Sequence, residues 1–220
     1  AALRRWEGVP VIFIPGNHDQ VDFNGKEHSL TPLQFAFKDT SMVKIISEPT
    51  CFLNALWIPY RRNGSCVEEA LLATQSDGVK AVFCHSDIEG ALMNDNLISK
   101  VGVSRKAFPT NIPTYSGHYH KPHTVDGTSI TYIGSPYQIS LNEAGQRKLL
   151  HILDGSTWLV KETREVCIGP RYFRANSHTS LPDMSTMKRG DRLVWTVENR
   201  TDEKVLEITR SLRESDVQVE

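Results

Sequence analysis

No stretch of this chain is long or apolar enough to cross a bilayer as a helix. An excess of charge of one sign is also missing: 25 Lys and Arg face 26 Asp and Glu, for a formal net charge of −1. No global field therefore draws the chain to a membrane surface or to nucleic acid, although a local basic patch is enough for the latter. The four cysteines, Cys51, Cys66, Cys84 and Cys167, form no C-x-x-C. Their mostly apolar or helical contexts read as buried free thiols in a reducing compartment, cytoplasm or nucleus. Internal repeats and low-complexity segments are absent, and Ala1-Ala2-Leu3-Arg4-Arg5-Trp6 lacks the features of a signal peptide. Asn63-Gly64-Ser65 and Asn199-Arg200-Thr201 match the glycosylation pattern but, without secretory features, read as turns. With 39% hydrophobic and 23% charged residues in 220, the composition is that of a soluble globular protein with one moderate and one smaller domain.

What is present centres on Val11-Ile12-Phe13-Ile14-Pro15-Gly16-Asn17-His18-Asp19. Four apolar residues, three of them β-branched, predict a fully buried strand, and Pro15-Gly16 breaks it into a turn. An amide, an imidazole and a carboxylate are then held at a strand tip, where open α/β sheets place their ligands. Val79–Cys84 is a second predicted strand and runs straight into His85. Tyr115-Ser116-Gly117-His118-Tyr119-His120 sets two histidines two apart, on one face of an extended segment. Neutral imidazoles and an amide oxygen suit manganese, iron or zinc, not calcium.

Around these motifs the pattern predicts an α/β alternation. Ala1–Glu7 reads as a helix end stopped by Gly8, and Thr31–Phe37 as a short helix with Thr31 as N-cap and Pro32 in its first turn. Strands are expected at Val43–Ile46, Phe52–Ile58 and Ser129–Ile133, the last after a hairpin signal at Asp126-Gly127. Ser65-Cys66-Val67-Glu68 predicts a capping box opening a helix to about Thr74, ended by Asp77-Gly78. Leu97–Phe108 is a candidate lid. Arg61 and Arg62 could touch a substrate phosphate or form a solvated pair. Asp87 and Glu89 could orient histidines or belong to a capped loop, and His123 is an extra ligand or, more simply, a loop residue. Leu149–Leu153 and Thr157–Lys161 read as paired strands around Asp154-Gly155.

Together, G-N-H-D, a lone histidine at a strand end and G-H-x-H resemble the later motifs of the calcineurin-like metallophosphoesterase family. The resemblance covers about the first two-thirds of the chain, the span of those motifs. It implies a β-sandwich flanked by helices, in which Asn17, His85 and His118 bind one of two divalent metals, manganese foremost, and His120 the other. His18 would be the non-ligand histidine beside the scissile phosphate, with Asp19 orienting its ring. The family's earlier D-x-H and G-D-x-x-D motifs, which supply the remaining ligands and the bridging carboxylate, are not in this sequence. Asp22 lies downstream of the G-N-H-D turn and cannot replace them. The expectation is a part of a longer protein, inactive as it stands, with a degenerate member as the alternative.

Tyr132-Ile133-Gly134-Ser135-Pro136 is similar to a segment of the nuclease branch (SbcD-type and phage recombination nucleases) that works with a coiled-coil ATPase in double-strand-break repair. A strand ending in a turn also explains it. Beyond Val166, Gly169-Pro170-Arg171-Tyr172-Phe173-Arg174 is basic and aromatic, able to contact nucleic acid through Arg171 and Tyr172 or to serve as a linker with packed rings. A strand at Leu193–Val197, a helix capped by Thr201 with Val205, Ile208 and Leu212 at helical spacing, and a strand at Val217–Val219 follow. This β-α-β unit resembles the small DNA-capping domain of those nucleases. The division expected is 1–165, the phosphoesterase domain, and 166–220, an α+β capping domain. The resemblance implies a DNA exo- or endonuclease that forms a homodimer and partners the ATPase. A phosphoesterase of small nucleotides or phosphoproteins, and a non-catalytic binding scaffold, are the alternatives.

Overall fold

The structure is a computed structural model that describes residues 9–37, 43–74, 78–94, 97–166, 168–176 and 181–220. The helix end expected at Ala1–Glu7, Asp77 and Cys167 lie outside the described residues. Two compact units are formed, one from Ala1–Gly134 with His151–Glu162, the other from Ser135–Leu150 with Thr163–Glu220.

In chain order the first unit contains β1 (Val11–Phe13), α1 (Thr31–Ala36), β2 (Val43–Ile45), β3 (Thr50–Phe52), β4 (Ala55–Ile58), α2 (Gly64–Ala73), β5 (Ala81–His85), β6 (Leu92–Asn94), β7 (Leu97–Ile98), β8 (Thr114–Gly117), β9 (His123–Thr124) and β10 (Ile130–Tyr132). β3-β4-β5-β8-β10-β9 form a mixed sheet, its inner strands β4, β5, β8 and β10 parallel and its outer pairs antiparallel. With few helices beside it, the fold is α/β. Strand alternation sorts the inner residues onto two faces. Leu56, Ile58, Val82, Cys84, Ile130 and Tyr132 pack with Val67 and Leu71 of α2. Ala55, Trp57, Ala81 and Phe83 pack with Ile12, Ile14 and Ile46 from the β1–β2 region. β4 is buried along its whole length, and each such large side chain contributes about 1.5–3 kcal/mol. Trp57 stacks on Phe83 at 4.2 Å, and Trp158 meets both rings edge-on.

β1 pairs in parallel with β2 in a separate two-stranded sheet, and its residues are only half-buried, not fully buried as its composition suggested. Burial deepens one turn later, at Pro15 and Gly16. The strand expected at Phe52–Ile58 is a hairpin instead: Leu53 and Asn54 both take left-handed φ, 54° and 56°. Leucine is an unusual occupant of that conformation, so no turn signal was visible. The expected capping box also fails. Asn63 is the N-cap of α2 and accepts from the Ser65 amide, while Glu68 accepts from the Ser104 amide. Leu30, not Thr31, precedes α1, and Thr31 donates its hydroxyl to the His28 carbonyl. Segment 97–108 is not a free lid, because Val103 and Phe108 are buried in the core. Of the cysteines, Cys84 is buried, and burial pushes its thiol up to about 11; Cys51 and Cys66 are exposed, contrary to expectation. Among the described residues, no helix is long and apolar enough to cross a membrane.

β11 (Lys148–Leu153) and β12 (Val160–Val166) pair as a two-stranded ribbon, its turn held by the Asp154 carboxylate on the amides of Ser156 and Thr157. The second unit contains β13 (Tyr172–Asn176), β14 (Arg192–Thr196), α3 (Glu203–Glu214) and β15 (Gln218–Val219), with the three strands parallel. The β-α-β unit read from the sequence is thus present as β14-α3-β15. Its helix is capped by Asp202 rather than Thr201. Ile208 and Leu212 of α3 pack on Leu193, Ala175 and Val217.

The left-handed hairpin turn makes a direct test of this architecture. Replacing Leu53-Asn54 by Asn-Gly relieves conformations that cost about 1–2 kcal/mol in an ordinary residue. Leu53 is 52% exposed, so little burial is lost. Thermal unfolding should move up by roughly 3 °C; a lower midpoint would place the turn elsewhere.

Candidate metal centre

Parallel pairing puts the ends of β4, β5 and β8 side by side, with His85 opposite Gly117 in register and His118 one residue further along. The G-N-H-D turn reaches the same place through the Tyr60 amide, which donates to the Pro15 carbonyl at 2.9 Å. There the Oδ1 of Asn17 stands 2.9 Å from Nε2 of His85 and 3.3 Å from Nδ1 of His118. The His85 ring lies between Gly16 and Gly117, and a Cβ on either would come within 2.7 Å of it. Both glycines are there because an imidazole needs the space. His118 takes φ +92°, a strained backbone for a non-glycine residue that recurs at functional sites.

Burial and neighbouring imidazoles decide the protonation of this cluster. His85 is lowered to about 4, first by desolvation, then by the charges that His118, His18 and His120 would carry; Asp19 opposes. His118 is lowered by the same causes, with Asp87 opposing. His18 and His120 thus act electrostatically on both His85 and His118, and burial keeps His85 neutral near pH 7.

The donor atoms suit a cation. Two ligand atoms, each about 2.1 Å from one ion, stand roughly 3.0–3.4 Å apart, depending on octahedral or tetrahedral geometry. The two Asn17 distances match that edge closely. Among the described residues, no three His, Cys, Asp or Glu side chains form a metal-binding group. The convergence is therefore two imidazoles and an amide, donor types that could hold one ion, at separations that are also those of hydrogen bonds.

His18 is exposed on the turn and His120 half-buried beyond His118. Asp19 makes no hydrogen bond to the His18 ring; its carboxylate accepts from the Gly16 amide at 2.8 Å and the Ser29 hydroxyl at 3.2 Å, holding the turn shut. Asp87 hydrogen-bonds no histidine among the described residues, although its charge acts on His118; it accepts from the Tyr119 hydroxyl at 2.6 Å and from Ser99 at 2.9 Å, anchoring the residue between His118 and His120. Glu89 is exposed. His123 is consumed internally: Nε2 accepts the Leu92 amide and Nδ1 stands 2.8 Å from the Lys121 carbonyl. Arg61 is not a solvated charge, with 8% of its side chain exposed, and bonds Glu48 and the Ser47 and Tyr60 carbonyls. Arg62 lies over the Phe23 ring. Gly134 at φ +77° leaves room for Pro122 and the His120 carbonyl, which gives the Gly-Ser-Pro turn a part in supporting the histidine segment.

In the second unit, Arg171 neutralises the buried Asp191 at 2.6 Å and also bonds the Thr186 carbonyl. Tyr172 donates its hydroxyl to the Ile139 carbonyl, and its ring carries Arg192. Both side chains expected on substrate are engaged within their own unit. Sequence reading missed Tyr60, whose ring meets both His85 and His118. Its signal was present: Pro59-Tyr60 directly follows an apolar run, another strand tip.

No protein-family model matches the sequence.

The lowered His85 predicts a pH dependence of stability in EDTA-treated protein. Unfolding frees His85 to bind a proton near pH 6.5, whereas the folded chain resists until about 4. Its contribution is fully present above 6.5 and lost as pH falls towards 4, on the order of 3 kcal/mol. Denaturant midpoints of wild type should fall across this window more steeply than those of His85→Gln. Equal slopes would show that His85 is not held neutral.

Proposed function

We propose that this chain carries part of a metal-dependent phosphodiesterase centre of the calcineurin-like type. The observation that supports the reading is the meeting of Asn17, His85 and His118 at one point, from three strand ends, with His18 and His120 beside them. The mixed sheet with a second sheet packed on one face is compatible with the sandwich of that family. On this reading Asn17, His85 and His118 hold one divalent cation, manganese foremost, and His120 contributes to a second. Bound there, such cations would supply Lewis acidity to activate water and to offset charge on the phosphate. His18, exposed at the turn, donates to the oxygen that gains charge as the phosphodiester bond breaks. Asp19 and Ser29 keep the turn closed, so that His18 and Asn17 are presented in fixed relation.

DNA is the substrate that best accounts for Tyr132–Pro136 and the parallel β-α-β unit, with an intracellular, homodimeric nuclease and a coiled-coil repair ATPase as its setting. The engagement of Arg171 with Asp191 moves any nucleic-acid contact of β13 and β14 to the exposed Arg174 and Arg192. A single-ion binding role for the 220 residues alone is favoured by the want of a third His, Cys, Asp or Glu ligand among the described residues.

In the native protein, His18→Ala should lower manganese-dependent cleavage of DNA by about 10²–10⁴-fold with metal affinity unchanged. His118→Ala should lose the metal itself. Cleavage retained by His18→Ala would remove that residue from the mechanism.

A further inference from the structure

We infer that Tyr60 is a positioning residue for the metal centre, its ring acting as the wall that aims both His85 and His118 at Asn17. The inference rests on the metal-binding reading of those three residues. The Tyr60 ring stacks on His118 at 5.9 Å and 23°, and meets His85 edge-on at 6.1 Å and 86°. The two imidazoles stand 5.5 Å apart and nearly perpendicular, at 72°. One aromatic ring therefore neighbours both, stacked on one and edge-on to the other, which is the placement that would set the angle between them.

A wall is useful only if it is itself fixed. The Tyr60 amide donates to Pro15 of the G-N-H-D turn, and its carbonyl accepts from Gln20 at 2.8 Å and Arg61 at 2.9 Å. Arg61 is tied in turn to Ser47 and Glu48. The residue thus joins the β1 turn, the segment after β2 and the end of β4 at one backbone position. His118 also neighbours the Tyr119 ring, 4.8 Å between centroids, and the Tyr119 hydroxyl is held by Asp87. His118 thus neighbours two tyrosine rings, and its own backbone stands in the left-handed region.

The Tyr60 hydroxyl forms no hydrogen bond among the described residues, so the ring rather than the hydroxyl does the positioning. An imidazole free to turn about its side-chain torsions would have to be ordered when a cation binds, and that cost weakens affinity. Groups that orient metal ligands typically change affinity by about 10–100-fold.

The test compares wild type with Tyr60→Phe, Tyr60→Leu and Tyr60→Met, the last as an adaptable side chain should leucine not fold. Cobalt(II) binding is followed by its visible absorption, and the imidazole nitrogens of the metal-free proteins by ¹H–¹⁵N spectra. Tyr60→Phe should bind cobalt as wild type does and keep the His85 and His118 nitrogen signals. Tyr60→Leu and Tyr60→Met should bind at least about ten-fold more weakly, with those signals shifted or averaged. Unchanged affinity and unchanged spectra in a folded leucine or methionine variant would overturn the positioning role while leaving the metal reading intact. A wild type that binds no cobalt would overturn the metal reading, and the metal-free spectra would still decide whether Tyr60 orders the imidazoles.

Discussion

The imidazole of His85 fits between two glycines, and the rest of the site depends on that fit. Gly16 arrives from the β1 turn and Gly117 from the adjacent strand β8, and neither position has room for a side chain. With the ring so held, its Nε2 faces the Asn17 amide oxygen, and the same oxygen meets His118. Exclusion of water then keeps the ring neutral, which is the state in which it can donate a lone pair to a cation. Close packing, protonation and ligand geometry are consequences of one steric arrangement.

Much of this was legible in the residue order, because strand tips are written plainly. An apolar β-branched run followed by Pro-Gly or by a histidine marks where a core strand stops and chemistry can begin; Asn17 and His85 lie at such stops, and His118 directly follows Gly117 at the end of β8. The parallel order of β4, β5 and β8 follows from the alternation of strands with crossover segments. The C-terminal β-α-β unit was equally visible through the spacing of Val205, Ile208 and Leu212.

What was not legible depended on how segments, near and far in sequence, close on one another. Asp19 looks like an orienting carboxylate, yet the tight turn leaves its oxygens nearest to the Gly16 amide and Ser29. Arg171 reads as a free basic residue until Asp191, twenty positions later, is found buried against it. Leu53 enters a left-handed turn because β3 and β4 must pair, a tertiary demand that overrides its local preference. Tyr60 was overlooked because aromatic residues after a strand are ordinary; its importance lies in two rings that only the sheet brings to it.

The measurement that bears most directly on the central claim is anomalous diffraction from crystals of the protein grown with manganese. A strong peak within about 2.0–2.3 Å of Asn17 Oδ1, His85 Nε2 and His118 Nδ1 is the predicted result. A difference map in which these three groups keep their direct contacts, with any manganese lying elsewhere, would contradict the reading of this cluster as a metal centre.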